Sequence, residues 1–199
     1  MARPVDVRGR ERRRAAIVRA AGPLFAAHGF EGTSTARIAR EAGVSNGSLF
    51  YHFPDKRALF RAVFADDGPA YRRMFAEQAG ADPVAALLAV VDELAKPATW
   101  EEASGLAVEL MRQAPTDPEL VRVVMANDEI VADGLTGLLR RAAAAGRADP
   151  ALDPAAAARW IRVMIDGLFL NDADAEALAL LRLTVRRLLR LDDDTNGEH

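Results

Sequence analysis

Seven consecutive residues, Asn46-Gly47-Ser48-Leu49-Phe50-Tyr51-His52, gather an amide, hydroxyls, an imidazole and two aromatic rings around a single aliphatic side chain. At helical spacing Asn46, Gly47, Phe50 and Tyr51 share one face, Ser48 and His52 flank it, and Leu49 points the other way. That outer face suits the edges of base pairs. Asn can pair with adenine, rings can touch thymine methyls, and the major groove admits one helix. Gly47 would let the backbone come close to the duplex. The plainer reading of the same spacing is a helical hairpin with polar residues facing water.

Such a face needs a frame that holds it outward, and the flanking residues spell one. A first short helix starts at Ser34 or Thr35, whose hydroxyl can accept from the unpaired amides of the first turn, and carries Ile38, Ala39 and Ala42 at helical spacing. Arg37 stands where a capping box would place Glu, so that cap is half made. Gly43 supplies the left-handed turn, and Ser45 caps the second helix, on which Leu49 faces Ile38.

From about Arg10 to Phe64 the chain resembles the N-terminal DNA-binding domain of the TetR family of transcriptional regulators. The matching residues are Phe25, Gly29, Phe30, Thr33-Ser34, Ile38-Ala39, Ala42-Gly43-Val44-Ser45, Gly47-Ser48-Leu49, His52-Phe53 and Lys56, with Leu59 in the helix that follows. The resemblance implies that Asn46, Gly47, Ser48, Phe50 and Tyr51 approach the bases and that Ser34, Tyr51, His52 and Lys56 hold phosphates. Arg37 and Ser45 complete the expected DNA-binding set. Two positions depart from the family pattern. Phe50 stands where Tyr is usual, which leaves apolar contact only. Gly22-Pro23 falls inside the first helix, where a proline costs about 3 kcal/mol, so a kink is expected there, bridged by the packing of Ile17, Leu24 and Phe25.

The net charge of −3 over 199 residues is unevenly spread. Residues 1 to 66 hold 12 Arg or Lys against 6 Asp or Glu, a net +6, which leaves −9 on the remaining 133. A basic end on an acidic body is the distribution expected when one part approaches phosphates and the rest does not. Arg10 to Arg14 should open the first helix and touch the DNA backbone; Arg3 and Arg8 belong to either a DNA arm or a solvated tail. There is no cysteine, which excludes disulfide scaffolds, thiolate metal sites and a cysteine nucleophile. The longest apolar run, Val84 to Val91, is too short to span a bilayer, so no membrane partner and a cytoplasmic location are expected.

Further along, helix starts are legible. Asp55 caps a helix bearing Leu59, Phe60, Val63 and Phe64, and Asp66-Asp67-Gly68-Pro69 should break it before a pattern from Tyr71 to Gln78. Asp82-Pro83, Asp117-Pro118 and Asp153-Pro154 each place a capping carboxylate before a proline at the first helical position, and Thr99 with Glu102 reads as a capping box. The implied helices cover roughly 83 to 95, 100 to 112, 118 to 145, 154 to 171 and 174 to 190. Gly146 ends the long one. Gly134 and Gly137 inside it predict a bend or a close neighbour.

The last two helices carry stripes that could pair with a second copy as a four-helix bundle or close the monomer's own core. With the family resemblance, the expected dimer interface is Trp160, Met164, Leu168, Leu178, Leu181, Val185 and Leu188. Met74, Phe75, Trp100, Leu110, Met111 and Met125 are large, adaptable side chains suited either to plain packing or to an apolar ligand cavity. The resemblance implies that cavity, without naming its occupant. His28, His52 and His199 are not at metal-ligand spacing, and no acid, base and nucleophile cluster is evident, so no catalytic residue, metal or cofactor is expected.

The expected architecture is all-α: a three-helix helix-turn-helix DNA-binding domain (10–66), then a larger helical ligand-binding and dimerisation domain (67–191), with flexible tails at 1–9 and 192–199. The expected partners are a palindromic double-stranded DNA operator, a small-molecule effector and a second copy of the chain. The rival from another class is a helical protein-interaction module without specific DNA binding.

Overall fold

The computed structural model describes residues 7–65, 67–171 and 173–189. Among them the regular elements are all helices: α1 (Val7–Gly32), α2 (Thr35–Glu41), α3 (Asn46–His52), α4 (Lys56–Ala65), α5 (Asp67–Glu77), α6 (Pro83–Ala95), α7 (Ala103–Gln113), α8 (Pro118–Ala144), α9 (Pro154–Leu168) and α10 (Ala175–Leu188). Arg3, Asp66 and the tail from Asp192 to His199 lie outside the described residues. Of the tail expected at 1–9, residues 7–9, Arg8 among them, are already helical. The chain divides into two units. One runs to Asp67 and takes in Ser104–Met125; the other comprises Gly68–Ala103 and the chain from Ala126 onward.

In the first unit, Ile17, Val18, Ala21 and Phe25 recur at helical spacing and bury one face of α1. Helix α1 passes through Gly22-Pro23 and departs from helical dihedrals at Gly29 instead (φ 69°, ψ 171°). The proline is tolerated because it is exposed while Ile17, Ala21 and Phe25 hold the helix on both sides. The rings of Phe25, Phe30 and Phe60 meet edge-on and stacked with centroids 5.0 to 5.8 Å apart, and Phe64 adds an edge to Phe60 at 5.3 Å. Buried Thr33 ties the chain beyond Gly29 back to α1, its hydroxyl reaching the Leu24 and Gly29 carbonyls at 2.9 and 2.8 Å.

Helix α7 joins this unit because Gly105 has no side chain: a Cβ there would sit 2.5 Å from the Ala26 carbonyl oxygen. Leu106, Leu110, fully buried Leu120 and Val124 complete the core. Asp117, 2 % exposed, caps α8 by accepting from the Leu120 amide at 3.1 Å. The same carboxylate takes the Arg61 Nε–H of α4, which lies 2.9 Å from both its oxygens. Burial alone would push the Asp117 carboxyl up, but the Arg61 and Leu120 hydrogen bonds, with the Arg61 and Arg57 charges, carry it below its ordinary value.

In the second unit α6 is buried on nearly every side, with Leu87, Val90 and Val91 inaccessible, and α8, α9 and α10 pack inward through Leu135, Leu139, Ile161, Ile165 and Val185. Asp82, Asp153 and Asp174 each cap the helix that follows. Gly134 marks a close approach, since a Cβ there would meet the Phe75 ring at 2.4 Å, whereas Gly137 faces open space. Gly146, at φ 67°, ends the turn after α8.

Two expectations fail here. Leu181 and Val185 do not face a partner: at 5 % and 0 % exposure they belong to the unit's own core, because the inward phase of α10 runs Leu178, Leu181, Val185, Leu188. From α9 onward, the large apolar residues left exposed among the described residues are Trp160, Val163, Leu170 and Leu180. The Thr99–Glu102 capping box does not form either. Thr99 closes a 3-10 turn (Lys96–Thr99), its hydroxyl donating to the Lys96 carbonyl, and α7 begins only at Ala103.

Replacing Asp117 by Ala removes a cap and strands the Arg61 guanidinium, and should cost roughly 2–3 kcal/mol in urea unfolding at pH 7. Since the folded carboxyl titrates below its unfolded value, its stabilisation is present above about pH 4 and is lost as pH falls further. Asp117→Asn should therefore show a shallower loss of stability between pH 5 and pH 3 than the wild type; identical slopes would remove Asp117 from the acid response.

Candidate nucleic-acid interface

The reading helix α3 is only seven residues long and could not hold its shape alone. Its frame does that. Ser34 caps α2 by accepting from the Arg37 amide at 3.2 Å, and Ser45 caps α3 by accepting from the Ser48 amide at 3.1 Å. Between them Gly43 takes φ 66°, and the Val44 amide returns to the Ala39 carbonyl at 2.9 Å. Ile38, Leu49 and Phe53 seal the underside at 0 to 3 % exposure.

With that side closed, Asn46, Gly47, Phe50 and Tyr51 are presented outward, Phe50 and Tyr51 at 45 % and 69 % exposure. Ser34, Arg37 and Ser45 are also exposed, and Ser48 and His52 are half-buried at the margins. The first turns of α1 add to this face. Arg10 stands 5.9 Å from the Tyr51 ring centroid and Arg14 5.4 Å from that of Phe53, while the Tyr51 and His52 rings meet edge-on at 5.3 Å. Burial lowers the His52 imidazole below its ordinary value, and the charges of Arg13, Arg10 and Arg14 lower it further. The Arg10–Tyr51 contact was legible only in outline: Arg10, Arg13 and Arg14 recur at helical spacing, but the sequence does not say which rings they meet.

Lys56 sits differently from its expected phosphate role. Its ammonium donates to the Phe30 carbonyl at 2.7 Å and the Thr33 carbonyl at 3.2 Å and lies 4.4 Å from the Phe30 ring centroid. It fastens α4 to the last turn of α1 and the residue that follows it. The expected ligand-binding residues are distributed over both units. Met74 and Phe75 pack against the second core and Leu110 against the first, whereas Trp100, Met111 and Met125 are exposed. Among the described residues no cluster of His, Cys, Asp or Glu could hold a metal, and no helix is long and apolar enough to cross a membrane.

Two capped helices joined by a left-handed glycine, with a polar and aromatic outer face beside a row of arginines, define a helix-turn-helix DNA-binding head. Residues 17–63 match the family model of bacterial regulatory proteins of the tetR family, and residues 83–191 match that of the C-terminal part of BetI-type transcriptional repressors. The chain belongs to the TetR family and is a DNA-binding transcriptional regulator. It is 32 % identical over 138 residues to the HTH-type transcriptional repressor AcnR of Corynebacterium diphtheriae, covering 68 % of this chain and 67 % of that one. Its fold is similar to a TetR transcription regulator from Haloarcula marismortui (TM-score 0.77, 24 % identity, 90 % and 97 % of the two chains). It is likewise similar to the regulator FadR from Bacillus subtilis in complex with stearoyl-CoA (TM-score 0.72, 23 % identity, 93 % and 99 %).

Lys56→Met should lower the urea-unfolding stability by about 1–2 kcal/mol, because the Phe30 and Thr33 carbonyls lose a charged donor. A variant as stable as the wild type would contradict the fastening role.

Proposed function

We propose that the chain is a homodimeric repressor that sits on a palindromic operator and is released by a small, mostly apolar effector. The observation that carries this is the sealed underside of α3, with Leu49 inaccessible while Tyr51 is 69 % exposed. Asn46, Phe50 and Tyr51 meet base edges through Gly47's close approach; Ser34, Arg37, Ser45, Ser48 and His52 line the phosphates, joined by Arg10 and Arg13. Lys56 acts behind them by holding the frame. A two-fold pair sets two α3 helices about one helical turn of DNA apart, or a multiple of it, hence a palindrome.

The dimer is attributed to the exposed Trp160, Val163, Leu170 and Leu180, with whatever surface Met164, Leu168, Leu178 and Leu188 keep after packing on the unit's own core. An apolar effector is supported by the adaptable Met74 and Phe75 and by the stearoyl-CoA bound to the FadR neighbour. Repression is supported by the name of the AcnR relative. An effector that fits better when the heads are wrongly spaced must weaken operator binding by the same coupling that the operator imposes on effector affinity, typically about 1–3 kcal/mol.

A footprint over the DNA beside the chain's own gene, competed by one palindrome and not by bulk DNA, is the expected result; retention of a partner protein without any footprint would favour the interaction-module reading. Asn46→Ala and Tyr51→Ala should each cost about 1–3 kcal/mol on the operator and little on random DNA, whereas Arg13→Ala should weaken both and reduce the salt slope by about 1.

Phosphates beside His52, and the neutralisation of Arg10 and Arg13 by DNA, raise the imidazole above its depressed free value. Proton uptake then accompanies binding, so at constant salt the affinity should rise as pH falls from about 8 to 6. His52→Gln should flatten that profile in fluorescence anisotropy, and a flat wild-type profile would take His52 off the phosphates.

For the interface, Trp160→Glu with Leu180→Glu should give folded monomers in sedimentation, while Val185→Glu should unfold the second unit instead.

A further inference from the structure

A groove of about 390 Å³ lies within the first unit, on the side formed by the end of α1 and the outer turns of α7. Its lining includes His28, Gly29, Ser104, Gly105, Glu109 and Arg112. None of its lining residues belongs to α3 or to the residues assigned to the effector and the dimer. Glu109 stands out there, since an acid that is 5 % exposed is rare unless it is paired.

The two carboxylate oxygens of Glu109 are unequally satisfied. Oε1 accepts from the Gln113 side-chain amide at 2.8 Å, which pins the group within its own helix. Among the described residues the nearest cation to Oε2 is Arg112, 3.9 Å away on a side chain that is 72 % exposed. A contact that long and that solvated contributes little. On its other side Oε2 lies against bare glycine: a Cβ on Gly29 would come within 3.2 Å of it, and the left-handed backbone there (φ 69°) favours glycine in any case.

The opposite wall adds a second source of negative potential. Helical geometry in α1 stops at Gly29, so the turn Ala26-Ala27-His28 is the carboxyl end of a long helix, where the backbone dipole favours cations. Set against this are His28 and Arg112, both solvent-exposed and able to swing clear. The buried carboxylate and the helix end therefore decide the sign of the site, and Ser104 offers a hydroxyl beside them.

We infer that this groove binds a small molecule carrying a protonated primary amine, with the ammonium on Glu109 Oε2 and its aliphatic part along Val108. A compact ammonium with three donors fits one carboxylate oxygen open on the groove side and a neighbouring hydroxyl better than a planar guanidinium does.

Titration of the full-length protein with butylammonium at fixed ionic strength, followed by the amide resonances of Gly29 and Gly105, tests this without DNA and so without counterion effects. Saturable shifts with a Kd of about 1 mM are expected, with 1-butanol and butanoate giving none at equal concentration. Glu109→Gln should weaken binding about tenfold or more. Val108→Phe, a change at an exposed position that fills the groove and leaves the charges alone, should abolish it, and Arg112→Ala should bind as well as the wild type or better. Equal shifts from butanol or butanoate, unchanged binding by Glu109→Gln and Val108→Phe, or no saturation by wild type up to about 50 mM would each overturn the assignment.

Discussion

The orientation of one leucine decides what this protein can do. A seven-residue helix has no stability of its own, and nothing in its backbone selects which face meets water. Leu49 selects it. With that side chain fully buried among Ile38 and Phe53, the pitch of the helix leaves Asn46, Phe50 and Tyr51 on the far side, and the two serine caps and Gly43 fix where the helix begins. A polar side chain at Leu49 would remove the reason for the face to exist, whatever its outer residues were.

The surrounding head is built to hold that helix still. Pro23 and Gly29 both threaten α1, yet the chain beyond Gly29 is tied back three times: by Phe30 in the aromatic cluster, by the Thr33 hydroxyl on two carbonyls of α1, and by the Lys56 ammonium on the carbonyls of Phe30 and Thr33. The Leu24 and Gly29 carbonyls take the Thr33 hydroxyl, and the Phe30 and Thr33 carbonyls take the Lys56 ammonium. The result is a rigid seat for α2 and α3, in keeping with a site that must present several side chains at once.

Features whose signal is local were legible from sequence. Asp-Pro at a helix start, Gly at a left-handed turn and Ser at a cap are statements about neighbouring residues, and Asp82, Asp117, Asp153, Gly43 and Ser45 all behave as read. Features that depend on which element packs where were not. Leu181 and Leu180 are adjacent and equally apolar; only the phase of α10 against α6 and α9 puts one inside and one outside. The resemblance assigned Lys56 to phosphates, and the sequence gives no sign of the carbonyl partners it meets 23 and 26 residues away. Thr99 had the right spacing for a capping box but found a nearer carbonyl at Lys96.

Helix α8 draws these strands together. It is one continuous helix of 27 residues, yet the part up to Met125 belongs to the DNA-binding unit, through Leu120 and Val124, and the rest to the second unit, through Val131, Leu135 and Leu139. Its first residue follows Asp117, whose carboxylate both caps the helix and receives Arg61 from α4. Breaking a helix mid-course costs several hydrogen bonds at once, so a helix gives way first at its ends, and what holds its first turn matters most. At the start of α8, giving way means loosening one ion pair whose carboxylate also serves as the cap. The sharing of Asp117 between two duties thus ties the first turn of α8 to α4 within the first unit, and α4 directly follows the helix that Leu49 sets.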